Sequence, residues 1–212
     1  MDFGFNLKEC GVVTVAVLDT VDDVLALGEI LEESGLNILE ITMRTPAALD
    51  CIMAAVKKFP KLMVGAGSVA NASSLREIQD SGASFAVSAG LDVKMVEEAG
   101  KLGIPFVPGA ATPTELMAAL RVCKIIKIFP AALLGGPAYI NAISSPFASF
   151  EFHLIPTGGI TAENLAVYME TERVIACGMS WLAERKLIAA RNFNVVTERA
   201  VSVVSILKSH GL

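Results

Sequence analysis

Short apolar runs alternate with longer amphipathic segments from one end of the chain to the other. Eight runs are brief and rich enough in β-branched residues for buried strands: Val12–Leu18, Ile38–Thr42, Leu62–Gly65, Phe85–Ser88, Phe106–Pro108, Ile125–Phe129, Phe152–Pro156 and Val174–Cys177. The stretches between them carry helix signals. Thr20 stands as an N-cap before Val21-Asp22-Asp23, and Gly35 supplies the stop. Thr45-Pro46 and Thr112-Pro113 each set a cap ahead of a proline at the first helical position. Asn71 leads into Ser73-Ser74-Leu75, Thr161-Ala162-Glu163 opens another helix, and Gly82, Gly100 and Gly103 mark helix ends. A last helix over Val195–Lys208 puts Val196, Ala200, Val203, Val204 and Leu207 on one stripe, to pack on the strands or on a neighbouring subunit. The first ten residues form a short helix that plugs the base.

Eight strand–helix units, roughly 26 residues each, predict an α/β fold: a TIM (β/α)8 barrel as a single domain over residues 1–212. The rival open, doubly wound sheet typically has fewer strands. Its G-x-G-x-x-G fingerprint is missing, since Gly65-Ala66-Gly67-Ser68 holds only the first half. No linker rich in proline, serine or charge divides the chain.

Charged residues are 18% and hydrophobic ones 53%, so much of the chain must be buried. The net charge is -5 and no run of Lys or Arg could track a phosphate backbone, which removes nucleic acid as an expected partner. An acidic chain that binds an anion must gather positive potential locally, through helix N-termini, backbone N–H groups and a few cations. Cys10, Cys51, Cys123 and Cys177 form no CxxC pair and sit among apolar neighbours, as free thiols do in a reducing cytoplasm. Two histidines, His153 and His210, are too few for a His-rich metal site, and neither metal nor cofactor is expected. No apolar run is long enough to span a bilayer, and the N-terminus lacks the apolar core of a signal peptide. No membrane partner is expected, and the expected setting is cytoplasmic.

In this fold, chemistry gathers at the C-terminal ends of the strands and in the loops that follow. Lys127 lies in Ile125-Ile126-Lys127-Ile128-Phe129-Pro130, at the end of the sixth strand. Either face of a barrel strand desolvates an ammonium, which favours the neutral amine needed to attack a ketone. The competing reading is a lysine that reaches the barrel mouth or half of a buried ion pair. Lys124, nearer the strand start, reads as a lysine reaching water. Glu40 is the second outlier, with Ile38, Thr42 and Arg44 on its side of the strand. It serves either as an acid–base group or in a structural pair with Arg44 or Lys127. Arg44 is suited to holding a carboxylate through two parallel hydrogen bonds. Thr157-Gly158-Gly159-Ile160-Thr161 follows the seventh strand and Cys177-Gly178-Met179-Ser180-Trp181 the eighth, the usual phosphate position in this fold. Pro108-Gly109-Ala110-Ala111-Thr112-Pro113 reads as a rigid turn, and Trp181 as packing.

These stretches together resemble the bacterial 2-keto-3-deoxy-6-phosphogluconate aldolases, which overlap with the 4-hydroxy-2-oxoglutarate aldolases. Leu39-Glu40-Ile41-Thr42-Met43-Arg44-Thr45-Pro46, Val64-Gly65-Ala66-Gly67-Ser68-Val69, Pro108-Gly109-Ala110-Ala111-Thr112-Pro113, Lys127-Ile128-Phe129-Pro130-Ala131, Pro156-Thr157-Gly158-Gly159-Ile160 and Gly178-Met179-Ser180-Trp181 carry the likeness, in order, over nearly the whole chain. The resemblance implies class I aldolase chemistry in a homotrimer of barrels. Lys127 falls where the family forms its Schiff base, and Glu40 on its catalytic glutamate. Arg44, Ser68 and Thr157 fall on residues that contact the keto acid, and Gly158, Gly159, Gly178 and Ser180 in the phosphate turns. The expected partner is thus a small 2-keto acid, phosphorylated at its far end.

The chain departs from the family at several places. Ser68 stands where threonine is common, and Ala132 where many members are acidic. Ala89 replaces a frequent proline, Met179 a frequent glycine, and Leu18 and Asp19 end strand one where some relatives present an arginine. These changes bear on substrate preference and leave lysine and glutamate in place. The same chemistry on 4-hydroxy-2-oxoglutarate or on 2-keto-3-deoxy-6-phosphogalactonate is the nearest rival. A phosphate-binding isomerase and a non-catalytic metabolite-binding barrel remain the more distant ones.

Overall fold

The computed structural model describes residues 3–211, and within them helices and strands alternate except at 106–110, where two strands follow one another, and at 185–209, where two helices do. Met1, Asp2 and Leu212, part of the expected plug and domain, lie outside the described residues. The order is α1 (Phe3–Cys10), β1 (Val12–Ala16), α2 (Val21–Ser34), β2 (Ile38–Thr42), α3 (Ala48–Lys58), β3 (Met63–Gly67), α4 (Leu75–Asp80), β4 (Ala86–Val87) and α5 (Val93–Leu102). It continues through β5 (Phe106–Val107), β6 (Gly109–Ala110), α6 (Pro113–Ala119), β7 (Ile125–Ile128), α7 (Gly136–Ser144), β8 (His153–Pro156), α8 (Leu165–Met169), β9 (Cys177–Met179), α9 (Arg185–Ala189) and α10 (Phe193–Ser209).

All ladder pairings are parallel, in two sheets: β5-β4-β3-β2-β1-β9 and β6-β7-β8. The expected fifth strand is therefore two segments, divided at Pro108. Proline has no N–H to give to a ladder, although its carbonyl accepts from the Lys127 amide at 2.9 Å. Between β8 and β9 the pairing shrinks to single bridges, Leu154 with Val174 and Thr157 with Gly178. The eighth strand also lies later than Val174–Cys177. Arg173 takes a left-handed conformation (φ 69°) that breaks the extended backbone, and β9 is registered by β1 through Val12 and Cys177. β3 reaches Gly67 rather than stopping at Gly65.

The strands' two faces sort the core. Val13, Val15, Ile38, Phe85, Val87, Val107 and Ile155 form an inner cluster, capped from below by Leu7 of α1 as the plug reading expected. Leu39, Ile41, Val64, Ala66, Ile126, Ile128 and Leu154 belong to the outer cluster that packs on the helices. α10 buries Val196, Ala200, Val203 and Leu207 within the chain, against α2, α8 and α9, and Val204 is half-buried.

Several caps match the sequence. Thr20 and Asp23 form a capping box and Gly35 closes α2 at φ 83°. Thr112 and Glu115 repeat the box at α6. Three expectations fail. Thr45 caps nothing, because its hydroxyl donates to the Leu18 carbonyl at 2.6 Å, and α3 starts only at Ala48. α8 begins at Leu165 instead of after Thr161, whose amide donates to the Asn164 side chain. Gly100 lies inside α5, which runs on to Leu102 and ends at Gly103. No described helix is long and apolar enough to cross a membrane.

Candidate active site

Lys127 follows the alternation of β7. Ile126 and Ile128 turn outward to the helices, so the lysine turns inward, registered between Gly109 and Ile155. Glu40 does the same on β2, between Val15 and Gly65. The two strands lie in different ladders, yet their curvature brings the side chains together. Lys127 Nζ is 3.2 Å from Glu40 Oε1 and 3.5 Å from Oε2. Both residues are buried, at 6% and 3% exposure. The partner open between Arg44 and Lys127 is thus Lys127. A pair this dry holds only while both members are present. Removing one strands a charge, at about 3–5 kcal/mol.

The surroundings explain how the pair is seated. A Cβ on Gly67 would lie 2.6 Å from Glu40 Cδ and closer still to Oε1, so only glycine leaves room for that carboxylate. Lys127 Nζ also lies 5.7 Å from the centroid of the Phe129 ring. Below the pair, Val13, Phe85, Val87, Val107 and Leu7 leave a void of about 10 Å³, at the margin of what holds one water.

Thr157 joins this interior and is 5% exposed. Its bridge to Gly178 is possible because a Cβ there would meet the threonine side chain, with Cγ2 at 2.9 Å and Oγ1 nearer. Gly158 and Gly159 both take positive φ, 98° and 78°, which non-glycine residues rarely adopt. Their turn is tied to the segment after β7, where the amides of Ala131 and Ala132 donate to Thr157 and Gly158.

The other expected residues sit further out. Arg44 is exposed and, among the described residues, makes no ion pair. It shares an open hollow of about 340 Å³ with Ser180, Val15 and Val17. Ser68, with φ 55°, lines a separate hollow of about 290 Å³ beside Ser88 and Gly90. Lys127, Glu40 and Thr157 are therefore brought together, Arg44 and Ser180 meet at the mouth, and Ser68 stands to one side. Lys124 lies outside this group, in an exposed pair with Glu151 at 2.9 Å. A larger hollow of about 650 Å³ lies at the opposite, N-terminal strand ends, around Asn6, Asn37 and Lys61. It lacks the converging buried polar groups of the mouth.

Sequence reasoning missed two features. It read Gly67 as part of an incomplete G-x-G-x-x-G fingerprint and of the family-like stretch, although the glycine makes room for a carboxylate. It also missed Arg185, whose guanidinium grips Asp19 at 2.9 and 2.7 Å beside the Arg44 hollow.

Parallel strands around a buried amine that faces a carboxylate form the kind of site a Schiff-base carbon–carbon lyase needs. The chain belongs to the KDPG and KHG aldolase family, whose match covers residues 5–199. A 2-dehydro-3-deoxy-phosphogluconate aldolase of Haemophilus influenzae is 36% identical over 204 residues, 96% of this chain and 95% of its own. The KDPG aldolase of Legionella pneumophila, solved with pyruvate captured as a covalent carbinolamine, superposes with a TM-score of 0.89 at 32% identity, covering 96% of this chain and 98% of its own. The Zymomonas mobilis enzyme with 3-phosphoglycerate gives 0.86 at 30% identity and 96% of each chain.

Proposed function

We infer that the protein is a class I aldolase that cleaves 2-keto-3-deoxy-6-phosphogluconate to pyruvate and glyceraldehyde 3-phosphate. The observation that carries this is the buried Lys127–Glu40 contact at 3.2 Å. In this reading the two ladders are parts of one (β/α)8 barrel, joined through Pro108 and the β8–β9 bridges, and the chain acts as a single domain.

Glu40 takes the proton that the Lys127 ammonium must lose. The free amine adds to the C2 ketone, and Glu40 returns that proton to the carbinolamine hydroxyl, which leaves as water and gives an iminium. Glu40, directly or through a water, then takes the C4 hydroxyl proton. The C3–C4 electrons flow into the iminium and the aldehyde departs. The enamine is protonated at C3 by Glu40, and water hydrolyses the iminium to release pyruvate and restore the lysine. Arg44 and Thr157 hold the keto-acid end, which lowers the entropic cost of the encounter. The turns at Gly158, Gly159, Gly178 and Ser180 hold the phosphate, whose binding aligns the reacting end.

The homotrimer is part of the proposal. Leu133, 87% exposed in the segment after β7, leaves an apolar side chain there for a second copy to cover. Sedimentation at three times the chain mass supports it and monomer mass refutes it. A cytoplasmic setting suits four free thiols. The function is tested by pyruvate release, coupled to lactate dehydrogenase, from 2-keto-3-deoxy-6-phosphogluconate, its galactonate epimer and 4-hydroxy-2-oxoglutarate. The highest kcat/KM is expected on the first. A higher value on either rival reassigns the substrate, and no pyruvate from any of them refutes the aldolase reading.

A further inference from the structure

We propose that Arg185, held in place by Asp19, is a specificity residue that engages the anionic far end of the substrate. The inference rests on the aldolase reading above, which puts the reacting ketone at Lys127 and the phosphate near Ser180. The hollow of about 340 Å³ at the ends of β1 and β9 is lined by Arg44, Ser180, Arg185, Lys186 and Glu184, three cations, a hydroxyl and a carboxylate. The carboxylates in and beside it are already engaged. Glu184 accepts from Arg199 at 2.9 Å and lies 3.4 Å from Lys186, and Asp19 accepts both bonds from Arg185. With Arg44 given to the keto-acid end, Arg185, Lys186 and Arg199 against Asp19 and Glu184 leave a local surplus of one positive charge (3 − 2) in a chain of net charge -5. That is the local concentration of positive potential an acidic protein needs for an anion.

The Asp19 clamp sets the direction of the guanidinium. Arg185 gives Nε and one Nη2 hydrogen to the carboxylate, at 2.9 and 2.7 Å. A guanidinium has five N–H donors, so the remaining ones stay available, in a plane fixed by the bidentate pair. Asp19 follows β1, Arg185 begins α9, and Ser180 lies five residues before Arg185 on the segment leaving β9. A ligand reaching outward from Lys127 past Ser180 meets this fork at the rim. Asp19 is accordingly a positioning residue.

The test compares 2-keto-3-deoxy-6-phosphogluconate with its dephosphorylated counterpart, 2-keto-3-deoxygluconate, on the intact enzyme. In Arg185→Gln the ratio of the two kcat/KM values falls about tenfold through KM, the size of one partly solvated, charge-assisted bond. Arg185→Lys keeps part of the ratio. Asp19→Asn lowers it about threefold, because the fork loses half of its support. Inorganic phosphate inhibits Arg185→Gln less than the wild type. Equal losses on both substrates would assign Arg185 a structural role and overturn the proposal, as would an unchanged ratio. An unchanged ratio in Asp19→Asn alone overturns the part given to Asp19. A wild-type enzyme that releases pyruvate from neither compound overturns the phosphogluconate substrate reading and this proposal with it.

Discussion

Gly67→Ala isolates the placement of Glu40 from its chemistry. The added Cβ would lie 2.6 Å from Glu40 Cδ and 2.5 Å from Cγ. Ordinary carbon contacts begin near about 3.5 Å, so the carboxylate must retreat by roughly 1 Å. It now sits 3.2 Å from the amine. A misplacement of that size costs about 100-fold in rate. Stability should suffer less, by about 1 kcal/mol, because the displaced atoms are the end of a side chain and overpacking is partly offset by the alanine's lower unfolded-state entropy. Gly65→Ala, two residues earlier on the same strand, is the control. Its Cβ would press on three atoms of the Phe85 ring at 2.5 Å, and that ring is 1% exposed. It should lose up to about 3 kcal/mol with less effect on turnover per folded molecule. Coupled pyruvate assays with urea unfolding separate the two effects. Wild-type kcat in a folded Gly67→Ala protein would refute the placement of Glu40 as the working acid–base group.

Lys127→Met should lose all measurable cleavage and about 3–5 kcal/mol of stability, with much of the stability recovered in Lys127→Met/Glu40→Gln; additive losses in urea unfolding would show that the two side chains do not form a coupled pair. Burial raises the thiols of Cys51 and Cys123 from 9.0 to about 11. The folded chain therefore binds those protons more tightly, and stability should hold below pH 9 and decline as the pH climbs toward 11; a midpoint that is flat across that window contradicts the assignment. For the same reason iodoacetamide should modify Cys51 and Cys123 in the native enzyme far more slowly at pH 8 than in the unfolded chain, and equal rates would contradict their burial. Thr20→Ala should lower stability by about 1 kcal/mol through loss of the α2 capping box, read as a shift in thermal midpoint, and an unchanged midpoint argues against the box.

The buried Lys127–Glu40 pair was legible because it breaks the local pattern. A lysine among isoleucines and a glutamate among apolar strand residues are inconsistent with their neighbours unless they meet each other or a ligand. The caps at Thr20 and Thr112 were legible for a similar reason, since the box is written in four consecutive positions. Thr45 misled because its hydroxyl serves the Leu18 carbonyl, a partner 27 residues away that no local rule marks. Arg173 hid its effect in a backbone angle, and the eighth strand was placed too early as a result. Arg185 and Asp19 are 166 residues apart and carry no shared spacing, so their contact emerges only once β1 and β9 pair.

The most direct test of the central claim is borohydride reduction in the presence of pyruvate, followed by peptide mass mapping. The account predicts one stable adduct per chain, on Lys127, and none in Lys127→Ala. An adduct on another lysine, or no adduct from an enzyme that still releases pyruvate, would contradict it.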